Sequence, residues 1–205
     1  MLKIIRPLIV SLLVFTVITG ILYPLAVTGV AQLFFPLQAN GSVMVKNGSP
    51  AGSSLIGQPF DNPAYFWGRL SATSPFPYNS AASSGSNRAQ TNPDLVKQAQ
   101  ERIVILREAD PQASASVPAD LATASGSGLD PHISPAAAEY QIKRVAKARC
   151  LDEAKVRTIV TNYTERRQLG ILGEPRVNVL KLNTALDGIN NPTCLSVNKG
   201  GEGLL

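Results

Sequence analysis

A single histidine and two cysteines among 205 residues leave little with which to build a metal centre or a disulfide framework. Zinc needs three or four ligands, and neither a CxxC pair nor a second histidine supplies them. No heptad seam runs through the chain, which excludes a coiled coil. Net charge is only +5, and Lys3 and Arg6 sit in the N-terminal flank; the rest, 17 basic against 14 acidic residues, is too weakly charged to suggest nucleic acid or an anionic lipid surface. The most informative absence is local: between Arg6 and Lys46 there is no charged residue at all.

An apolar run, residues 8–35, fills that gap. A helix of about 20 apolar residues crosses a bilayer core, whereas a signal-peptide h-region is about 7–15 residues long and ends at a small-residue cleavage site. Phe34-Phe35-Pro36-Leu37 is bulky, and Leu37-Gln38-Ala39 is not such a site. A retained transmembrane helix is expected. The positive flank places residues 1–7 in the cytoplasm and the remainder across the membrane. Thr16, Thr19, Gly20 and Tyr23 follow i, i+3, i+4, i+7 spacing and share one face in a regular helix. Two readings stand for them: a face docked on a partner helix, or small residues of the kind common in single spans. Pro24 frees a backbone carbonyl in mid-span and predicts a kink.

Residues 36–187 have room for one α/β (α+β) domain with few strands and about three helices, and 188–205 read as a flexible tail. Val43 and Val45 predict a strand, Asn47-Gly48 a turn, and Ser53–Gln58 the return strand. Residues 59–92 are rich in Pro, Ser, Asn and Gly yet carry Phe60, Tyr65, Phe66, Trp67, Phe76 and Tyr78. An ordered, irregular segment with packed rings is expected there. Asn92-Pro93 and Ser134-Pro135 are cap-and-first-turn signals for two helices, and Asp152 caps a third. Their apolar stripes are Leu95, Ala99, Ile103, Leu106; Ala138, Ile142, Val145, Ala146; and Val156, Ile159, Val160, Tyr163. Gly170 and Gly173 break the chain, and Val177 and Val179 alternate with polar neighbours, so Arg176–Leu182 reads as a strand.

Little here predicts catalysis. Ser125-Gly126-Ser127-Gly128 precedes a helix as phosphate loops do, but the Lys-Ser/Thr pair is missing and no clear strand feeds it; a tight backbone turn is expected. Asp130, His132 and Ser134 supply triad residue types, but within one proline-bounded turn, so turn and cap hydrogen bonding is the better account. Lys143, Arg144, Lys147, Arg149, Lys155, Arg157, Arg166 and Arg167 read as a solvated face. Cys150 and Cys194 allow one disulfide; with Cys194 in the tail, incidental thiols are expected.

Several stretches together resemble one family. They are Gly52-Ser-Ser-Leu-Ile-Gly-Gln58, Tyr65-Phe-Trp-Gly-Arg-Leu-Ser-Ala-Thr73, Ser84-Gly-Ser-Asn87, Ala124-Ser-Gly-Ser-Gly-Leu-Asp-Pro-His-Ile-Ser-Pro-Ala-Ala-Ala138 and Leu172-Gly-Glu-Pro-Arg-Val-Asn-Val179. In this order they resemble the C subunits of the bacterial Kdp potassium-transporting P-type ATPases, the KdpC family. Leu70, where that family usually has proline, and Arg88-Ala89-Gln90 before Thr91 predict local loop differences.

The resemblance implies a non-catalytic, single-pass subunit of the bacterial inner membrane with a periplasmic domain, needed for assembly of a high-affinity potassium importer. It implies as partners a channel-like potassium-binding A subunit, a B subunit that hydrolyses ATP, and a small F subunit. ATP, Mg and potassium are then used by the complex, with no cofactor held tightly by this chain. It further implies a role in enhancing nucleotide binding, for which the matched residue is Gln141; the topology argues against direct contact, since ATP is inside. Without the resemblance, a free-standing anchored periplasmic enzyme or binding module is the alternative.

Overall fold

The structure is a computed structural model that describes residues 2–46 and 48–189. It divides into two parts, one ending at Ser53 and one beginning at Ser54. The first is dominated by helix. α1 (Leu2–Val17) passes through a π-helical turn, Ile18–Leu22, into α2 (Tyr23–Phe34), and Ile4–Phe34 is long and apolar enough to cross a membrane. At the place where a kink was expected the helix winds through this π turn. Pro24 has no N–H to donate to the carbonyl four residues back, and its ring would crowd that carbonyl. The turn before it widens, so that the Tyr23 N–H bonds to the Ile18 carbonyl, five residues back.

Phe35 leaves helical geometry, and a short α3 (Pro36–Ala39) ends at Asn40 and Gly41, the latter at φ +79°. The Asn40 and Gln32 side-chain amides pair reciprocally at 3.2 and 3.3 Å, tying the two helices. The hairpin follows as β1 (Val43–Lys46) and β2 (Ser49–Ser53), antiparallel with a bulge between Met44 and Val45. The return strand thus starts at Ser49 and not at Ser53; a two-residue connection leaves no slack before pairing resumes.

The second part contains α4 (Pro93–Ala109), a four-residue α5 (Ala119–Ala122), α6 (Pro135–Arg149), α7 (Glu153–Asn162) and α8 (Val179–Asp187). Its sheet is small and antiparallel: β3 (His132–Ile133), β4 (Thr164–Glu165) and β5 (Arg176–Asn178) in the order β3-β5-β4. Asn92, Ser134 and Asp152 cap their helices through side-chain oxygens, as their sequence positions predict. Ala138, Ile142, Val145 and Ala146 are all buried, whereas Leu106 alone of the α4 stripe is fully so.

α8 is the main departure. The expected strand stops at Asn178, whose side chain accepts from the Lys181 N–H and so caps a helix. Val179, Leu182, Asn183 and Leu186 are its buried stripe, with an asparagine where a hydrocarbon would be expected. Five helical segments, not three, therefore lie among the described residues of this part. Cys150 takes the left-handed C-cap position of α6 and is disulfide-bonded, which overturns its reading as an incidental thiol. Cys194 and the tail lie outside the described residues.

Candidate functional site

The aromatic segment is ordered, and its centre is held by side chains in place of a sheet. Phe66 and Trp67 are buried but belong to no strand, so their backbone groups need other partners. Asn183 of α8 accepts from the Phe66 N–H at 2.9 Å and donates to its carbonyl at 3.0 Å. Gln141 of α6 does the same for Trp67, at 2.8 and 3.1 Å. Two side-chain amides thus stand in for a neighbouring strand.

Arginines hold the residues just before. Arg144 donates to the carbonyls of Pro63 and Tyr65 and, at 2.6 Å, to Oε1 of Gln141. Its guanidinium lies 4.4 Å from the centre of the Trp67 ring, with that of Arg102 at 5.2 Å. Arg149 donates to the carbonyls of Ala64 and Leu186 and to Asp187, and stacks on Tyr65 at 4.7 Å. Burial draws the Arg144 guanidinium down to about 10, against the opposing pull of Asp110, so it remains a cation at neutral pH.

Arg144 and Arg149 therefore do not belong to a solvated face, as the charge pattern suggested. They donate hydrogen bonds to carbonyls of a segment that forms no strand. Arg157 does remain exposed, paired with Glu139. Gln141, singled out by resemblance, has both amide atoms engaged inside the domain, Nε2 bonding the Ala137 carbonyl as well. The sequence held a signal for this: Ala138, Gln141, Ile142 and Val145 have i, i+3, i+4, i+7 spacing, so an amide occupies a core position.

The Ser-Gly-Ser-Gly stretch bends, with no backbone turn hydrogen bond closing it, in place of the tight turn expected of it. It is bonded to segment 71–84: Ser84 N–H and Ser83 Oγ donate to the Ser127 carbonyl at 3.0 and 2.9 Å, and Ser71 Oγ to that of Gly128 at 2.7 Å. Beyond it, the Asp130 carboxylate bridges Nδ1 of His132 and Nη1 of Arg69, each at 3.1 Å. Ser134 is committed elsewhere. Its N–H and hydroxyl donate to Asp120, and its oxygen caps α6 by accepting from the Ala137 N–H. Asp130, His132 and Ser134 line one shallow cleft of about 360 Å³, but serine and histidine are not joined as nucleophile and base. Among the described residues no group of three or more His, Cys, Asp or Glu side chains is gathered as a metal site requires.

Asp130 makes a pH-dependent contribution. Burial pushes its carboxyl up, but the His132 side-chain and backbone hydrogen bonds and the charges of His132 and Arg69 outweigh this and hold it below its ordinary value. A depressed carboxyl stabilises the fold above the unfolded-chain value, and that stability is lost as pH falls through the folded one. Asp130→Asn should therefore unfold more readily than wild type at pH 7, with the gap closing toward pH ~3, as read from urea midpoints across that window.

On the apolar helix, Thr16, Thr19, Gly20 and Tyr23 are all exposed, and Gly20 has open space where a Cβ would stand. The Thr19 hydroxyl donates to the Phe15 carbonyl at 2.7 Å, leaving its oxygen as an acceptor. The π turn spans Ile18–Leu22, so Tyr23 no longer keeps the phase with Thr16 that a regular helix gives it.

The chain thus combines a helix long and apolar enough to cross a membrane with an α+β domain whose buried amides and arginines serve its own backbone. Comparison with known proteins identifies the family. Residues 5–188 match the family described as K+-transporting ATPase, c chain (KdpC). The Potassium-transporting ATPase KdpC subunit of Sorangium cellulosum is 60% identical over 188 residues, covering 92% of this chain and 99% of the relative. Its counterpart in Methylococcus capsulatus is 60% identical, with 90% and 97% covered, and that in Herpetosiphon aurantiacus 57%, with 91% and 96%. The chain belongs to the KdpC family.

Proposed function

We propose that this chain is the membrane-anchored accessory subunit of a potassium-transporting ATPase, holding the pump's other subunits together without itself carrying out hydrolysis. ATP and Mg are handled by a catalytic B subunit and potassium by a channel-like A subunit, with a small F subunit completing the assembly in the bacterial inner membrane. The span crosses once and the domain lies on the outer side. The observation that carries the reading is how the polar side chains are used. Gln141, Arg144, Asn183 and Ser134 each serve the chain's own backbone or a helix cap. Such groups fix a shape for others to bind. In this reading Gln141 influences nucleotide binding through the integrity of the domain, without touching the nucleotide.

The test is assembly. The full-length chain, extracted in mild detergent, should co-purify with larger membrane subunits and with potassium-stimulated ATPase activity; a lone monomer in several detergents would overturn the reading. The span is predicted to contribute one contact. Gly20→Leu fills a position with open space around it and should lower recovery of the other subunits several-fold, roughly the loss of 1 kcal/mol of helix packing. Val14→Leu, on the side of α1 turned away from Thr16 by the 3.6-residue period, should leave recovery unchanged.

A further inference from the structure

Pro24 leaves a backbone oxygen of the long helix without a donor, and the register says which one. The Thr19 carbonyl accepts from position 23 in a regular helix and from position 24 in a π-helical turn. The Tyr23 N–H is bonded to the Ile18 carbonyl, and Pro24 has no N–H. Both donors are thereby lost to Thr19. Nothing else in the helix takes their place. A helical hydroxyl bonds carbonyls three or four residues earlier, so a rescuing side chain would stand at position 22 or 23. Leu22 has no donor, and the Tyr23 hydroxyl sits at the far end of a rigid ring, out of reach of its own backbone. The hydroxyl of Thr19 itself is spent on the Phe15 carbonyl, at 2.7 Å.

Depth decides what can supply the missing bond. Thr19 is the midpoint of Ile4–Phe34, the segment long and apolar enough to cross a membrane. At ~1.5 Å per residue it stands about 22 Å along the helix from either end, and about 20 Å from Arg6, the last charge before the apolar run. A hydrocarbon core about 30 Å thick therefore encloses it by either measure. Water is absent there, lipid tails have no hydrogen-bond donor, and headgroups are far away, so only protein can donate. Gly20, the next residue, has open space where a Cβ would stand, which leaves the backbone approachable to a neighbouring helix. A cationic donor is unsuited, because no acidic residue lies between Arg6 and Lys46 to balance it at that depth.

We infer that a transmembrane helix of another subunit of the same ATPase donates a hydrogen bond to the Thr19 carbonyl from a neutral hydroxyl or carboxamide side chain. The inference rests on the accessory-subunit reading and deepens its span contact by naming the chemical group that the partner brings. Pro24→Ala tests it by giving position 24 an N–H. The helix then satisfies its own carbonyls, and the partner's donor is left unpaired in hydrocarbon. In the full chain expressed with the rest of its ATPase, recovery of the other subunits should fall about fivefold, while the melting temperature of the purified chain moves by no more than ~2 °C. Pro7→Ala is the control. It makes the same change in α1, but the carbonyl four residues back is that of Lys3, in the charged flank where water satisfies it, and recovery should change by less than about twofold.

A photo-crosslinking leucine analogue in place of Leu22, one turn from Thr19, supplies an independent readout. The adduct in the purified complex should have the mass of this chain plus one partner subunit, with Ser, Thr, Tyr, Asn or Gln within one helical turn of the crosslinked position on the partner. Wild-type recovery from Pro24→Ala, an equal loss from Pro7→Ala, crosslinks to lipid alone, or a crosslinked partner segment without such a side chain would each overturn the hydrogen bond and leave the accessory role standing. A wild-type chain that recovers no ATPase subunit would overturn the accessory reading and this inference with it.

Discussion

Gln141→Leu should lower the thermal midpoint of the domain by roughly 10 °C, although leucine is a good helix former at a buried α6 position. The reason lies in what the amide satisfies. Its removal leaves the N–H and carbonyl of Trp67 buried without partners and takes an acceptor from Arg144. Each unsatisfied buried group costs about 1–3 kcal/mol, and more where a charge is involved, so a total of about 3–5 kcal/mol is expected. In a chain of this size each kcal/mol moves the midpoint by about 2–4 °C. The comparison that matters is with ATP dependence in the assembled pump. If Gln141 acts through the fold, the variant loses assembled, active complex in proportion to its lost stability. If it touched nucleotide, the apparent affinity for ATP would fall with the melting temperature unchanged.

Gly128→Ala is expected to be nearly as damaging, from a single added methyl group. Gly128 sits at φ +69°, and a Cβ there would stand 2.5 Å from the Ser84 carbonyl oxygen and 2.6 Å from Cγ2 of Thr73. Neither neighbour is free to move. Ser84 is hydrogen-bonded to Ser127, and Thr73 accepts from the Asn79 N–H while donating to the Phe76 carbonyl. Left-handed strain of about 1 kcal/mol adds to the overlap, for a total of about 3 kcal/mol or more and a midpoint lowered by about 6–12 °C. Gly126→Ala, two residues away, is the control. A Cβ there meets nothing within 4 Å, and the substitution should shift the midpoint by no more than ~2 °C. Circular dichroism melts of the three proteins decide it; equal midpoints for Gly126→Ala and Gly128→Ala would refute the close approach of the two segments.

The second pair of segments also shows why the glycine loop resembles a ligand cradle when read alone. Glycines let backbone come close to something, and the sequence does not say to what. Here the partner is residues 71–85 of the same chain. The same ambiguity attends the arginines of α6. As a one-dimensional charge pattern they resemble a solvated face, and only the carbonyls of 63–65, contributed from about 80 positions earlier, make Arg144 an internal group.

What the sequence determined by itself was what local chemistry settles. The uncharged run from Leu8 to Phe35, three capped helices, the buried stripe of α6 and the order of the aromatic segment all follow from neighbours within a few residues; Tyr163, placed in the α7 stripe by its spacing, is exposed. The family, too, was legible, because its long Ser-Gly-Ser-Gly-Leu-Asp-Pro-His block is intact. Tertiary structure decided the rest. It turned Val179–Asp187 into a helix, since a capping Asn178 and the clamp of Asn183 on Phe66 outweigh a short alternation of valines. It gave Gln141 and Arg144 their work, and it left Leu169, Ile171 and Leu172 outside the core. Those outcomes depend on which backbone groups and surfaces remain unpaired once the chain has folded. That sum runs over residues a hundred positions apart, and a local pattern cannot contain it.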